Sequence, residues 1–300
     1  MSQPVVSVVI GTYNRRQFLA WTLASVRAEL EKIAGEIIVV DGGSSDRTVP
    51  WLVSQRDVIT IVQHNRGTWR GKPITRRSWG YFMNLGFKAA EGKYICMLSD
   101  DCLVVPGAIR NGIGQAERLT AAGRRVGAIA FYWRNWPEQE RYWVGRTFGG
   151  KLFVNHGLYL KEALALVGFA DEESYLFYHA DGDLCLRMAE SGYECVAADD
   201  SYIEHYSHAN EAIRESNVAV QKQDWERYAA KWSRLDAGRS TESQEYWIYR
   251  DYMDPHRTAQ KFGGIPEVRL QRARNAVRRG VTALDRVVKR ALGRRKARPS

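Results

Sequence analysis

Lys93-Tyr94-Ile95-Cys96-Met97-Leu98-Ser99-Asp100-Asp101 is a mostly apolar run that ends in two adjacent carboxylates. Residues 94–98 read as a short buried strand, with Gly92 before it and polar residues after it. Ligands of open α/β sheets bind outside the carboxyl ends of the strands, and Asp100 and Asp101 fall at such an end. Packing gives little reason for a carboxylate pair there. A divalent cation carrying phosphates gives a good one, because Mg²⁺ and Mn²⁺ favour oxygen ligands and usually take one or two carboxylates plus substrate phosphate. The competing reading is a cap or turn ahead of Pro106, the commoner use of an isolated Asp-Asp pair.

The start of the chain favours the cation. Val5-Val6-Ser7-Val8-Val9-Ile10 is a β-branched run broken at Gly11-Thr12-Tyr13-Asn14-Arg15-Arg16. A helical pattern follows (Phe18, Leu19, Trp21, Leu23, Val26, Leu30), then a second strand, Glu36–Val40, which ends in Asp41-Gly42-Gly43-Ser44-Ser45-Asp46. Strand, loop, helix, strand, loop is the opening of a nucleotide-binding α/β layer. The glycine patterns of dinucleotide folds and P-loop NTPases are both missing, which disfavours those classes.

These segments resemble the inverting family-2 glycosyltransferases of the GT-A fold. Ser7–Arg15, Val39–Thr48, Asn84-Leu85-Gly86 and Ser99-Asp100-Asp101 match that family's motifs in order, and Ala180-Asp181-Gly182-Asp183-Leu184-Cys185-Leu186-Arg187 resembles its Glu-Asp-x-Asp-Leu-x-x-Arg element. His205 falls near a histidine that the family often places on metal or phosphate. The resemblance covers roughly residues 5–210. It implies an α/β fold with a GT-A-type nucleotide-binding mixed sheet flanked by helices. It also implies Mn²⁺ or Mg²⁺ on Asp101, with Asp100 and His205 beside it, and Asp181 as the catalytic base. Asp183 is expected to orient the helix start or the acceptor. The donor, with a UDP-sugar favoured, is expected against Thr12, Tyr13, Asn14, Asp41, Asn84 and Asp100. Capping readings compete for Asn14, Asp41, Asp181 and Asp183.

Three positions depart from the family pattern. Ala180 stands where a Glu usually precedes the base, Met83 where an Arg often precedes the Asn-x-Gly element, and Gly42 where Asp or Asn usually follows Asp41. An Arg- and Trp-rich stretch, Thr68–Gly80, offers Arg76 and Arg77 as replacement diphosphate ligands.

Composition agrees with one large domain and an appendage. No run approaches the roughly 18 apolar residues of a membrane span, and no secretory signal precedes the first strand. Cys96, Cys102, Cys185 and Cys195 lack C-x-x-C spacing and read as buried reduced thiols. The net charge is +10, and all of that surplus sits in residues 267–300. There Leu270, Ala273, Val277, Val281, Leu284, Val288 and Leu292 form a helical apolar stripe among arginines. Such a basic amphipathic helix suits an anionic membrane surface or its own domain; no nucleic-acid motif accompanies it.

The expected organisation is a domain over residues 1–235, with a nucleotide half (1–132), an acceptor half (133–210) and a closing helix (211–235). An unassigned extension (236–266) and the basic tail (267–300) follow. The function expected is a cytosol-facing, metal-dependent inverting transferase, peripheral at the inner face of the membrane. It would move a sugar from a nucleotide sugar to a glycan or lipid-linked hydroxyl, in surface glycan or glycolipid synthesis. The alternative, motivated by Ala180, is a GT-A-like nucleotide-sugar-binding or scaffold protein without turnover.

Overall fold

The structure, a computed structural model, describes residues 3–206, 209, 211–236, 246–270 and 272–273. One compact unit runs to Ala259 and a second begins at Gln260. The first is built on a mixed sheet. Strands β1 (Val6–Thr12), β2 (Gly35–Asp41) and β3 (Val58–Val62) are parallel neighbours, and β6 (Tyr94–Ser99) lies parallel on the other side of β1. Between β3 and β6 comes a small hairpin, β4 (Thr68–Trp69) and β5 (Lys72–Pro73). Beyond β6, β10 (Gly157–Leu160) runs antiparallel to both β6 and β8 (Val126–Asn135). β9 (Tyr142–Gly145) and β12 (Trp247–Arg250) complete that edge. β11 (Glu194–His205) pairs parallel with β8 and antiparallel with the short β7 (Cys102–Val104).

The β-branched runs at 5–10 and 36–40 are strands because both faces of the sheet are covered, so a continuous apolar run finds partners on either side. Val6, Val8, Val9, Ile10, Ile38, Val39 and Val40 are all fully buried. Helix α1 (Arg16–Leu30) buries Phe18, Leu19, Leu23 and Val26 of the stripe read from the sequence, with Thr22 beside them, while Trp21 and Leu30 are half-buried. α2 (Thr48–Val53) starts where Asp46 accepts from the Thr48 amide at 3.1 Å. α3 (Trp79–Ala89) carries Gly86, where an added Cβ would lie 2.5 Å from Val9 Cγ1. Only glycine lets this helix approach β1 so closely. α4 (Ala108–Ala121), α5 (Lys161–Leu166) and α6 (Ala180–Glu190) follow.

The single closing helix expected over 211–235 is two helices, α7 (Glu211–Val218) and α8 (Gln221–Trp232). The unassigned 236–266 extension supplies β12, with Trp247 packed edge-on to Trp143 at 4.4 Å. All four cysteines are free, and three are buried. In the second unit, Arg269 donates to the Gly263 and Gly264 carbonyls. Most of the basic tail at 267–300 lies outside the described residues. Among those described, no helix is long and apolar enough to cross a membrane.

Candidate active site

Register builds the acidic corner. β1 and β6 run side by side with Ile10 against Leu98 and Gly11 against Ser99, so Thr12–Arg15 and Asp100-Asp101 leave the sheet together. Thr12 Oγ1 donates to Asp100 Oδ2 at 2.8 Å. The Arg15 guanidinium bridges Asp100 Oδ1 at 2.9 Å and Asp101 Oδ2 at 2.8 Å. Thr22 on α1 donates to the carbonyls of Asp100 and Cys102, at 2.9 and 2.7 Å, and pins the turn. The cap reading for this pair fails. The amides of Gly107 and Ile109, at the start of α4, are taken by the Glu29 carboxylate instead.

β11 delivers the histidine. It sets His205 opposite Cys102 on β7 and opposite Asn135 on β8. His205 Nδ1–H donates to Asn135 Oδ1 at 2.7 Å. In the neutral ring Nε2 is then a lone pair, and it faces Asp101 Oδ1 at 3.3 Å. That oxygen is buried and makes no hydrogen bond of its own. Two electron-rich atoms face each other in a buried place, with an outer partner fixing the imidazole. This is how protein ligands to a cation are arranged, so Asp101 and His205 fit a divalent metal.

The carboxylates are unlike. Burial pushes Asp100 up, to about 6, against the pull of Arg15 and with the help of neighbouring Asp101. Burial also works to raise Asp101, but His205, when its Nε2 carries a proton, and Arg15 outweigh it and hold this carboxyl well below its ordinary range. Asp101 is therefore the more acidic member of the pair. His156, 5.7 Å from the His205 ring, is kept neutral: burial, then His205, lowers it to about 3.

A cavity of about 550 Å³ opens outside these strand ends, a volume typical of small-molecule sites. Thr12, Tyr13, Asp100, Asp101 and His205 line one side of it, and Asp181 faces the same space from the start of α6. Asp181 accepts its neighbour's amide, Gly182 N–H at 2.8 Å, and burial, only partly offset by backbone N–H groups, raises its carboxyl to about 6. Arg76 and Arg77 also line the cavity, joined by Arg66. Arg66 and Arg76 both donate to Asn217 Oδ1, at 2.7 and 2.8 Å. Burial, then the charge of Arg66, lowers Arg76 to about 10. Two guanidiniums meeting on one neutral oxygen, with no carboxylate bound to either among the described residues, form a ready anion site. Arg77 lies over the Tyr81 ring, 5.1 Å from its centre.

Four expected site residues stand away from the cavity wall. Asp41 is fully buried, and its oxygens accept from the Gly43 and Ser44 amides and the Ser44 hydroxyl, so it shapes its own loop. Asn14, at φ 52°, accepts from Ser45 N–H while its own amide donates to Ser44, clamping the first two loops together. Asn84 bonds Ala170 O, Ala170 N–H and Glu172 Oε1, a latch between α3 and the 170–172 segment. With Gly86 on the sheet, Asn84-Leu85-Gly86 is a packing element in this chain. Asp183 is fully buried and takes Arg187, Tyr175, Trp232 and Lys231, tying α6 to α8. These contacts hold the start of α6.

Sequence reasoning passed over Arg15, Arg66, His156 and Asp224. Arg15 and Arg66 stand directly after strand ends, a signal that could have found them. Asp224 carries none. It is fully buried in α8 and accepts the backbone N–H groups of Leu176, Phe177 and Tyr178 at 2.8, 2.8 and 2.9 Å. It thereby holds the loop that leads through His179 into Asp181. Asp224→Ala strands three part-buried donors. Each costs about 1–3 kcal/mol when unpaired, partly relieved by loop movement. A loss of about 2–4 kcal/mol in urea unfolding is expected; an unchanged midpoint would show that the loop holds itself.

Comparisons with known proteins agree with this geometry. The family model described as Glycosyl transferase family 2 matches residues 7–163. The succinoglycan biosynthesis protein ExoO of Rhizobium meliloti is 32% identical over 127 residues, covering 41% of this chain and 32% of that protein. Chondroitin synthase of Escherichia coli is 31% identical over 105 residues, covering 34% of this chain and 14% of that protein. The chain spans about a third of the length of the first curated relatives it matches. Among solved structures, the mannosyltransferase PcManGT from Pyrobaculum calidifontis, in complex with GDP-Man and Mn²⁺, superposes with TM-score 0.53 at 17% identity. That match covers 79% of this chain and 68% of the other. S. aureus TarS 1-349 with UDP-GlcNAc gives TM-score 0.53 at 13% identity, covering 77% and 69%. The GT-A-type mixed sheet expected from the sequence is the fold observed. With the family match running over more than half of its length, this chain belongs to glycosyl transferase family 2.

Proposed function

We propose that the protein is a metal-dependent inverting glycosyltransferase, moving a sugar from a nucleoside diphosphate to a hydroxyl of a glycan or lipid-linked acceptor. The observation that carries this is the sharing of one cavity by the Asp101–His205 pair and Asp181. Asp101 and His205 would hold Mn²⁺ or Mg²⁺, which when bound supplies a Lewis acid that offsets charge developing on the departing diphosphate. Arg66 and Arg76 serve the same charge from the protein side, once the phosphates replace Asn217. Asp181, with no strong donor on its carboxylate, accepts the proton of the attacking hydroxyl. Tyr13 stands on the wall to meet the nucleoside, while the oxygens of Asp41 are engaged within its own loop. The GDP-Man and UDP-GlcNAc complexes of the structural neighbours support a nucleotide-sugar donor, and the succinoglycan and chondroitin relatives support a polysaccharide product.

Nucleotide release from a panel of UDP- and GDP-sugars, with Mn²⁺ and with Mg²⁺, tests the reading. Metal-dependent release with at least one donor is expected. Binding without release would instead favour the turnover-free alternative that Ala180 raises, and no binding to any donor would end both. Charge-assisted hydrogen bonds contribute about 1.5–3 kcal/mol each, so Arg66→Ala with Arg76→Ala should weaken donor binding at least roughly 100-fold. Arg77→Ala should do much less, since its guanidinium is stacked on Tyr81. Calorimetry of the donor checks this; an effect confined to the acceptor constant would move the arginines out of the diphosphate site.

A further inference from the structure

The cation centre contains a thiol. Cross-strand pairing places Cys102 directly opposite His205, so both side chains lie on the same face of the sheet. One donor atom each from Asp101, Cys102 and His205 lies within 4.8 Å of the other two. Cys102 is fully buried beneath the cavity, and its Sγ sits 3.7 and 3.9 Å from the two ring nitrogens of His156. The independent sign that a ligand is wanted here is Asp101 Oδ1. It is a buried carboxylate oxygen without a hydrogen bond, facing His205 Nε2 at 3.3 Å.

We propose that Cys102 is a third protein ligand of this centre, which therefore takes a thiophilic divalent cation of the Zn²⁺ or Co²⁺ type in preference to Mg²⁺. This deepens the proposed function and rests on its reading of Asp101 and His205 as metal ligands. A carboxylate, an imidazole and a thiolate form a mixed oxygen–nitrogen–sulfur set. Such sets suit zinc and cobalt, whereas Mg²⁺ wants oxygen alone and gains nothing from sulfur. Coordination of Cys102 releases its thiol proton to solvent through the cavity. His156 stands against the sulfur and lines the cavity wall, within reach of the same cation's outer sphere. The consequence for the reaction is competition. A zinc-type ion held by three protein ligands displaces a hard cation that meets only Asp101, His205 and the donor's phosphates. Trace zinc then acts as a brake on transfer at the same site.

Cobalt reports the ligands without reference to activity. Reduced full-length protein titrated with Co²⁺ alone should show visible ligand-field bands together with near-ultraviolet thiolate-to-cobalt charge transfer. Zn²⁺ should abolish both at about one equivalent, and excess Mg²⁺ neither. Cys102→Ser, which preserves shape, should keep the visible bands and lose the near-ultraviolet one. It should also weaken Zn²⁺ by at least roughly 10–100-fold, a loss that even outer-shell changes produce at metal sites. Asp101→Asn should lose both bands. Visible bands without charge transfer in the wild type would overturn the thiolate ligand while leaving the metal reading intact. No cobalt binding at all would overturn the proposal, and Mn²⁺-dependent donor binding, measured separately, then decides the metal reading. Should Cys102→Ser fail to fold, cadmium NMR of the wild type gives the same answer: a thiolate-shifted resonance supports the ligand, and an oxygen–nitrogen shift overturns it.

Discussion

Asp181→Asn is expected to reduce sugar transfer by about 10²–10⁴-fold, the usual contribution of a positioned base, while making the folded protein more stable. Both effects have one cause. Burial raises the Asp181 carboxyl from 3.8 to about 6, and the local backbone hydrogen bonds, from Gly182 first, do not compensate. A folded-state value above the unfolded one means that the folded protein binds this proton more tightly. Stability is therefore gained as pH falls from about 6 towards 3.8, and the ionised carboxylate costs stability above that window. The rise corresponds to no more than about 3 kcal/mol, and water in the open cavity reduces this to about 1–2 kcal/mol. Asparagine removes the cost, so the melting temperature at neutral pH should rise by about 2–6 °C. The wild type should lose activity as pH drops through about 6, and the residual activity of the variant should lack that limb. Wild-type transfer by the variant, or a lowered melting temperature, would remove Asp181 from the role of base. The gain in stability separates this outcome from simple damage to the fold.

The legible parts of this chain were those in which short-range pattern and final environment coincide. The apolar runs ending at Ile10, Val40 and Leu98 are strands because nothing in them competes with burial on both faces. Asp100-Asp101 was readable because a carboxylate pair after such a run has few structural uses. Asp41, Asn14 and Asn84 are the opposite case. Their motif positions are correct, but a short polar side chain can satisfy nearby backbone groups as readily as a ligand, and here it does. Only the third dimension distinguishes these uses. The same holds for Asp224 and Asp183, whose partners lie 46 to 49 residues away or on the next helix. Arg66 shows a further limit. Its value lies in meeting Arg76 on Asn217, a convergence of three segments that no spacing rule encodes. The split between α7 and α8 was hidden because the apolar pattern continues across it.

Asp101→Asn should have the reverse signature of Asp181→Asn. Asp101 is ionised in the folded protein: burial resists that charge, but the Arg15 guanidinium and, in the metal-free protein, a proton on His205 Nε2 outweigh it. A folded-state value held below the unfolded one contributes stability above the unfolded range, lost as pH falls. The amide variant should therefore melt a few degrees lower than the wild type at neutral pH, roughly 2–4 °C, although Arg15 keeps its 2.9 Å contact to Asp100. The larger effect is on binding. Donor and Mn²⁺ at about 100 times the dissociation constant should stabilise the wild type by about 2.7 kcal/mol. Asp101→Asn removes the only anionic ligand facing His205 Nε2 among the described residues, and with it the metal-dependent part of that shift. Asp181→Asn should retain the whole shift, because its carboxylate meets the acceptor hydroxyl rather than the diphosphate. Thermal melts of the two variants, with and without donor and Mn²⁺, thus form a crossed pair. One variant gains intrinsic stability and keeps ligand stabilisation; the other loses both. A donor-induced shift in Asp101→Asn equal to that of the wild type would place the cation elsewhere. Loss of the shift in Asp181→Asn would move that carboxylate to the donor side of the cavity.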